Sequence, residues 1–424
     1  MSQLKDLSRH PCFNKESAGA CGRAHLPVAP KCNIKCNYCD RKYDCVNESR
    51  PGVASAVLSP AQAALYMDEV LEKEPRITVA GIAGPGDPMA NAVETLRTMR
   101  LIREKHPHLL FCLSSNGLAL PPYLDELVDA GVSHVTVTMN AVDPDIGAKI
   151  YAFVRDGNVV YRGRDAAALL LSRQLEAIEG LKKRGLIVKI NSIILPGVNE
   201  DHLPEVARAA ASFNVDIMNL IPVHPTANTP FAGITEPDKA MIHGLRAVCG
   251  EIVPQMTHCR RCRADAVGLL CNDRSRELAP TLARYSKTEV SEEEARPYVA
   301  VASREGMLIN QHLGEAKKFY VFEMRGGEMM LVEERKAPAP GCGPKRWEDL
   351  SRLLSDCRAV LVGACGETPR RILEESGVKV HDCAGFIEPA IRGVYESADM
   401  AAFGGRKRGI GAACCSGGGG KGCV

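Results

Sequence analysis

Three cysteines in one short loop carry the most specific chemistry in this sequence. They lie in PKCNIKCNYCDRKYDC, where Cys32, Cys36 and Cys39 form a C-x3-C-x2-C pattern. Three thiolates at this spacing can ligate three irons of a 4Fe–4S cluster and leave the fourth iron open to a substrate. The chemistry that this spacing suggests is reductive cleavage of S-adenosylmethionine bound to that iron. The alternatives are an electron-transfer cluster and a zinc site, for which Cys45 can supply a fourth ligand.

Glycine and polar residues follow several of the predicted strands. The segment GIAGPGDP contains Gly84 and Gly86, which allow the backbone to approach a ligand, and Asp87, which can accept hydrogen bonds from an ammonium group. A plain strand-to-helix turn is the alternative for this segment. Three further residues at strand ends are predicted to face the same opening: Asn116, Asn191 and Ser192.

Potential metal ligands are also scattered outside the C-x3-C-x2-C loop. One histidine and five cysteines are too many for one additional cubane and suit two cubanes with partial or mixed ligation. The alternatives are a core thiol in CLSSNG and half a zinc site in HCRRC. The basic residues in HCRRC favour thiolates or an anionic cluster. The six candidate ligands are His10, Cys12, Cys45, Cys112, Cys259 and Cys262.

Length and composition limit the class of protein. A chain of 424 residues predicts two or three domains. The formal net charge of +2 gives no electrostatic reason to expect nucleic acid or an anionic membrane as a partner. The sequence shows neither an apolar run of roughly 18 residues nor a signal-peptide core at its start, which predicts a cytoplasmic protein. Its 18 cysteines are therefore expected to be metal ligands, catalytic groups or core residues, and not disulfides.

The elements that must position these residues alternate between strand and helix. This alternation predicts a parallel sheet with crossover helices, as a closed or partial barrel, whose chemistry lies at the carboxyl ends of the strands. The predicted strands are Ala24–Pro30, Arg76–Ile82, Leu109–Ser114, His134–Asn140, Leu186–Leu195 and Val215–Pro222. The predicted helices are Pro60–Lys73, Ala92–Lys105, Pro121–Ala130 and Ala166–Gly185.

The pattern predicts four regions along the chain. Residues 1–272 form the barrel, 273–296 a linker whose charged part is either extended or a surface helix, 297–403 a small α/β domain, and 404–424 a flexible tail rich in glycine and cysteine. In the small domain we expect strands at Tyr298–Ser303, Phe319–Met324 and Ala359–Gly363 and a helix at Trp347–Asp356.

Several segments together resemble a known family. HPCF, PVAPKCNIKCNYCDRKYDCVNESRPGV, GIAGPGDP, SSNGLALP, VDPDIGAKIY, KINSIILPGVN and HCRRCRADAVGLL follow in order over residues 10–270. They resemble the NifB family of nitrogenase cofactor biosynthesis proteins, which are radical S-adenosylmethionine (SAM) enzymes with a partial TIM-like barrel. The region from about Pro297 to Phe403 resembles the NifX/NafY-type cofactor-binding domain, which has a ribonuclease H-like fold.

The resemblance implies a specific reaction. In the family, a SAM-binding 4Fe–4S cluster works beside two further 4Fe–4S clusters. These two are fused, with an added sulfur and a carbide from the methyl group of SAM, into the 8Fe–9S–C precursor. The six scattered ligands are then the candidates for the two substrate clusters. The resemblance also places Glu48 and Arg50 of NESRPG near the clusters, with a role in proton handling or in fixing ligands.

The resemblance further implies partners. These are cluster-assembly and cofactor-carrier proteins of nitrogenase maturation and an electron donor such as ferredoxin or flavodoxin. His312 in the second domain is either a ligand for released cluster or an ordinary surface histidine. Cys357 and Cys365 are expected to be core thiols, and the cysteines of the tail are expected to be inert: Cys414, Cys415 and Cys423.

Two other functions remain open at this point. One is a radical SAM maturase that modifies another substrate and uses auxiliary clusters as electron conduits. The position of His10, Cys12, Cys45 and Cys112 inside or before the barrel counts against it, because such clusters usually occupy a separate cysteine-rich module. The other is a non-catalytic iron–sulfur scaffold or carrier.

Overall fold

The chain divides into two compact units. The first ends at Thr288 and the second begins at Glu289. No helix among the described residues is long and apolar enough to cross a membrane, and the described cysteines are all free thiols. The structure, a computed structural model, describes residues 7–45, 54–260, 262–290, 296–325, 327–339 and 345–404.

The first unit alternates strands and helices as the sequence predicts. Its strands are β1 Gly22–His25, β2 Ile34–Cys36, β3 Ile77–Ile82, β4 Leu110–Ser115, β5 Val132–Thr138, β6 Tyr151–Asp156, β7 Val159–Tyr161, β8 Ile187–Ile194, β9 Ile217–Pro222 and β10 Val267–Gly268. Its helices are α1 Pro60–Lys73, α2 Ala92–Lys105, α3 Leu124–Asp129, α4 Pro144–Ile150, α5 Gly163–Lys183, α6 Leu203–Ser212, α7 Lys239–Gly250 and α8 Ser275–Tyr285.

The main sheet of this unit is a partial barrel. Its strand order is β10–β1–β3–β4–β5–β8–β9. The neighbours from β1 to β9 pair in parallel, and β10 pairs antiparallel with β1 at one edge. The two edge strands β10 and β9 do not pair with each other in the described ranges. The prediction of a partial TIM-like barrel of the radical SAM type is therefore confirmed.

Local sequence explains where these helices begin and what they bury. Helix α1 starts at Pro60 because Ser59 and Gln62 form a capping box and proline is favoured at the first helical position. In α5, Ile178 and Leu181 are fully buried and belong to the barrel core. Strands β5 and β8 are buried along their whole length, as expected for parallel strands covered by helices.

Helix α8 corrects the predicted linker over 273–296. Residues 275–285 form an ordered helix whose Leu278 and Leu282 join the barrel core. The Tyr285 hydroxyl donates a hydrogen bond to Glu69 of α1. The helix is only 11 residues long and has Pro280 in its interior, a residue that argues against a helix in a sequence pattern.

The second unit is a smaller α/β domain. Its five-stranded sheet has the order β14–β13–β11–β15–β16, in which β11, β13 and β14 are antiparallel and β15 and β16 run parallel to β11. This is the ribonuclease H-like arrangement that was predicted. Its strands are β11 Tyr298–Val301, β12 Leu308–Ile309, β13 Lys318–Arg325, β14 Glu328–Lys336, β15 Cys357–Val362, β16 Lys379–Asp382 and β17 Gly385–Phe386, and its helices are α9 Lys345–Leu353, α10 Glu367–Glu375 and α11 Ile387–Tyr395.

Candidate functional site

The three cysteines of the C-x3-C-x2-C loop open onto one cavity. Cys32, Cys36 and Cys39 line a space of about 440 Å³ at the carboxyl ends of the barrel strands. Cys45 lines the same cavity. The structure therefore brings four thiols from 14 residues of chain around one space.

The cluster loop is held in place by its own strand and by an aromatic side chain. Residues Ile34 to Cys36 form β2, which pairs antiparallel with β6. The Lys35 ammonium donates to the carbonyl of Cys39 at 2.5 Å. Tyr38 is fully buried, forms a hydrogen bond with the Cys36 sulfur, and accepts one from Asn140 at 2.8 Å. These contacts hold the Cys36 sulfur and the backbone of Cys39 in place.

Burial sets the protonation of these thiols. It raises the pKa of Cys32 to about 11 and holds that of Cys36 well above its usual value. The pKa of Cys39 is also raised, mainly by burial and partly offset by Lys35. Iron binds the thiolate, so cluster assembly at this loop must release protons.

Asp87 is the centre of a hydrogen-bond network at the rim of the cavity. Its carboxylate accepts from the amides of Met89 and Ala90, from the Ser115 hydroxyl at 3.1 Å, and from the amide of Asn116 at 2.6 Å. Burial raises the pKa of Asp87, and these donors oppose that shift. Asp87 thus ties the loop after β3 to the end of β4.

Asn116 continues this network to the cluster loop. Its Nδ2 donates to Asn33 Oδ1 at 2.7 Å and lies 3.9 Å from the Cys32 sulfur. Its carbonyl accepts from Gln174 of α5 at 2.9 Å. Gln174 also bonds the carbonyl of Thr138, so it was a supporting residue that the sequence did not reveal.

Gly86 is required for a contact between two loops. A Cβ at this position would lie 2.2 Å from the carbonyl oxygen of Lys31. The amide of Gly86 donates to Ala29, and that of Asp87 donates to Lys31. The close approach predicted for GIAGPGDP is thus made to the backbone of the cluster loop. Gly84 has a φ of +149°, a conformation that L side chains rarely adopt.

Asn191 and Ser192 lie apart from this cavity. Both are buried in β8. The Ser192 hydroxyl donates to the carbonyl of Met139 at 2.5 Å, and Asn191 Oδ1 accepts from Asn219 of β9 at 3.2 Å. The structure uses these two side chains to connect neighbouring strands inside the barrel.

A second group of thiols lies in the barrel around Cys12. The thiols of Cys262 and Cys112 are near enough to Cys12 to act on its pKa, which burial raises strongly. Cys12 packs against the small apolar cluster that contains Cys262, and Cys259 acts on the pKa of Cys262. Residues about 250 positions apart in sequence thus meet. We call Cys12, Cys112, Cys259 and Cys262 the inner thiols.

Arg23 holds one of the inner thiols in place. Its guanidinium is 1% exposed and donates to the Cys262 sulfur at 3.3 and 3.2 Å. The same group donates to the carbonyls of Gly268 and Leu269 and pairs with Asp273 at 2.8 Å. A buried guanidinium beside a thiol favours the thiolate and an anionic ligand.

Replacing Arg23 with methionine is expected to leave Asp273 unpaired and to remove both hydrogen bonds to the Cys262 sulfur. Asp273 is partly exposed, so the cost comes mainly from the lost hydrogen bonds of the buried guanidinium and is about 1.5–3 kcal/mol. We therefore expect a lower midpoint in anaerobic urea unfolding and fewer bound irons per chain. Arg284→Met removes an ion pair that is exposed and is the matched control. An unchanged unfolding midpoint and iron content in Arg23→Met would contradict this role.

His25 is a functional candidate that the sequence analysis missed. Its Nδ1 donates to the carbonyl of Arg263 at 2.9 Å, so the lone pair of the neutral ring lies on Nε2. A Cβ built on Gly81 would lie 3.5 Å from His25 Nε2 and 3.4 Å from the Cys112 sulfur. Burial lowers the pKa of His25 to about 4, so the ring is neutral at pH 7. In the sequence, AHLPV contains a single histidine without a motif around it, so nothing there indicated a metal ligand.

His10 also lies near the inner thiols, but its ring nitrogens form different hydrogen bonds from those of His25. It is 1% exposed, and its pKa is held well below the usual value, mainly by burial. Its Nδ1 accepts from the amide of Cys12 at 3.2 Å, and its buried Nε2 has no hydrogen-bond partner in the described ranges. An orphaned buried polar atom of this kind fits a site that binds a further group.

Lys189 adds a cation to this region. It is 5% exposed in β8, and its ammonium lies 5.2 Å from the centre of the Phe13 ring. Its charge lowers the pKa of both Cys12 and His10. With Arg23 it gives the inner thiols two buried cations, which suits an anionic cluster better than a single divalent cation.

No ready-made site for a single metal ion exists among the described residues. No three histidine, cysteine or carboxylate side chains there converge closely enough to hold one ion. A cubane is larger than an ion, so the cysteines that hold it stand further apart.

Three hydrogen bonds join the segments that carry the ligands. His258 Nε2 bonds the carbonyl of Pro11 at 2.9 Å. Asp44 accepts from the amides of Ala54 and Ala264. These bonds connect the first segment, the segment after the cluster loop, and the HCRRC segment. Glu48 and Arg50 lie outside the described residues.

In the second unit, His312 begins a short 3-10 helix. Its Nδ1 accepts from the amide of Gly314 at 3.0 Å. Cys357 is fully buried in the core, whereas Cys365 is half-buried. The cysteines of the tail, Cys414, Cys415 and Cys423, lie outside the described residues.

Comparisons with known proteins agree with this geometry. Residues 26–210 match the radical SAM superfamily, and residues 296–397 match the family described as dinitrogenase iron-molybdenum cofactor. The FeMo cofactor biosynthesis protein NifB of Chlorobaculum tepidum is 51% identical over 93% of this chain and 94% of its own length.

More distant relatives match over similar lengths. NifB of Klebsiella pneumoniae is 41% identical over 91% of this chain and 87% of its own. NifB of Azotobacter vinelandii is 36% identical over 92% of this chain and 88% of its own. Identity at this level over nearly the whole of both chains shows that this protein belongs to the NifB family of FeMo cofactor biosynthesis proteins, with a radical SAM unit followed by a cofactor-family unit.

Proposed function

We propose that this chain fuses two 4Fe–4S clusters into an 8Fe–9S–C precursor of the nitrogenase cofactor. The carbide comes from the methyl group of SAM, and one further sulfur is added. The two clusters that are fused are substrates, whereas a third cluster is the resident cofactor. The observation that carries this proposal is the set of inner thiols, which lies in the same barrel as the C-x3-C-x2-C cavity.

The C-x3-C-x2-C loop is the proposed site of the resident cluster and of SAM. Cys32, Cys36 and Cys39 supply the thiolates, and this cluster provides the electron that cleaves SAM. Asp87 and Asn116 order the loops around it. Gly84 and Gly86 permit the close packing of the turn after β3 against the cluster loop.

The ligands of the substrate clusters are proposed to come from residues that flank this site. The inner thiols supply four of them, and Cys45, which lines the cavity, supplies a fifth. Partial ligation suits clusters that must later be fused and released, since a full set of thiolates would hold each one too firmly. Glu48 and Arg50 are proposed to act beside them in proton handling.

Between the two histidines, His25 is better suited to be the nitrogen ligand. Its Nδ1–H is fixed by Arg263, which directs the Nε2 lone pair inward. In His10 the amide of Cys12 occupies Nδ1, so the ring proton lies on Nε2. We therefore propose His25 as a further candidate ligand, and we keep His10 as a candidate because its buried Nε2 has no hydrogen-bond partner in the described ranges.

The second unit and the partners follow from family membership. We propose that the unit containing His312 receives or cradles the released precursor. Cluster-assembly proteins supply the substrate clusters, and carrier proteins take the product onward. A small redox protein supplies electrons.

Anaerobic reconstitution tests this function. We expect about twelve irons per chain, as three cubanes require, and 5′-deoxyadenosine after addition of dithionite and SAM. A chain that binds about four irons and still forms 5′-deoxyadenosine would point to a radical SAM enzyme with another substrate. Absence of 5′-deoxyadenosine from the fully loaded chain would favour a scaffold.

A further inference from the structure

The cluster loop contains the edge strand of a small three-stranded sheet, β2–β6–β7, which has one buried face and one outward face. Strand β2 is part of the C-x3-C-x2-C segment, β6 pairs with it, and β7 pairs with β6. The inner side contributes Ile34, Val154 and Tyr161 to a buried cluster that also contains Cys36. The inner face therefore packs against the residues around the cluster site, and the opposite face points outward.

The outward side consists of Lys35, Phe153, Arg155, Val160 and Arg162, which we call the hairpin face. Lys35 pairs across strands with Phe153, and Arg155 pairs with Val160. Cross-strand partners share one face of a sheet. The guanidinium carbon of Arg162 lies 5.8 Å from the centre of the Phe153 ring. Val160 is 41% exposed.

The hairpin face carries three cations and no carboxylate. Arg155 and Arg162 are exposed, and in the described ranges neither forms an ion pair. Asp156, which follows Arg155, pairs with Arg173, and Asp145 pairs with Arg164; both arginines lie outside the face. Asp165 lies in the first turn of α5. Lys35 reaches the carbonyl of Cys39 in the cluster loop. An apolar centre with a basic rim is complementary to an acidic protein surface.

We propose that the hairpin face docks an acidic one-electron donor protein, which reduces the cluster of the C-x3-C-x2-C loop. The proposal rests on the proposed function, since it requires a reducible cluster there. Neighbouring strands are about 5 Å apart, so β7 lies about 10 Å from β2. A reduced flavoprotein on this face gives up one electron, and the cluster passes from its 2+ to its 1+ state. Because β2 contains Cys36 and also belongs to this sheet, an electron from a donor bound to the hairpin face has a short path to the cluster.

Binding to flavodoxin tests the docking directly. We expect oxidised flavodoxin to bind the full chain at low ionic strength and to bind more weakly as salt is added. Each of Arg155→Glu and Arg162→Glu is expected to raise Kd about tenfold, and the double variant about a hundredfold, because each reversal turns an attraction into a repulsion. Arg276→Glu changes an exposed arginine of α8 and should leave Kd unchanged.

A comparison of two reductants completes the test. With reduced flavodoxin, the double variant should form 5′-deoxyadenosine more slowly by a similar factor. With dithionite, which needs no docking, its rate should equal that of the wild type. An unchanged Kd in the double variant, or an equal loss with both reductants, would overturn the proposal. Absence of 5′-deoxyadenosine from the wild type with dithionite would instead overturn the proposed function, while the Kd values still decide the docking.

Discussion

Replacing Cys36 with alanine is expected to abolish 5′-deoxyadenosine formation and to remove about four irons per chain. The Cys36 sulfur is held by Tyr38 in the centre of the cluster loop, so two remaining thiols cannot retain a cubane with one open iron. We expect a loss of at least about a thousandfold in rate, because cleavage of SAM then lacks its electron source. The measurements are anaerobic iron analysis and chromatography of the nucleoside product.

Cys271→Ala is the matched control for this loss. Cys271 is an exposed thiol of the same unit and belongs to neither group of candidate ligands. It should keep both the iron content and the rate. A Cys36→Ala chain that still formed 5′-deoxyadenosine at a normal rate would show that another site cleaves SAM.

Replacing Cys259 or Cys45 with alanine is expected to have a different effect. Each variant should retain the resident cluster and cleave SAM, yet fail to make the fused product. The reason is spatial: Cys259 belongs to the inner thiols, and Cys45 lines the cavity beside the resident cluster. The measurement is transfer of product to apo-nitrogenase, followed by an acetylene-reduction assay, with 5′-deoxyadenosine measured in the same samples. A normal yield of product from either variant would remove that cysteine from the ligand set.

The sequence predicted the barrel well because its signals are local. Helices α1 and α2 have the predicted bounds, since their apolar positions repeat at helical spacing between clear start and stop signals. Helix α8 was missed because Leu278 and Leu282 are its only fully buried apolar residues and Pro280 interrupts the pattern, whereas several of its other contacts are made by polar side chains. Those contacts are made to α1, which is far away in the sequence, so the local sequence pattern gives no sign of them.

The candidate site was predictable only in part for a related reason. Cysteines are rare and chemically specific, so spacing alone identified the cluster loop. Arg23 and His25 lie in a short strand where nothing in the sequence distinguishes them from ordinary buried residues. Their roles depend on Cys262 and Arg263, which only the fold brings beside them. Asn191 shows the opposite case: its position at a strand end suggested a ligand, whereas its side chain bonds a neighbouring strand.

The origin of the carbide tests the central claim most directly. The loaded chain is given SAM that carries ¹⁴C in its methyl group, together with dithionite, and the cluster product is then separated from the protein. We expect label in the iron–sulfur product of the wild type and none there in Cys36→Ala. If the wild type forms 5′-deoxyadenosine while the cluster fraction stays unlabelled, then these clusters are not the substrate of this enzyme.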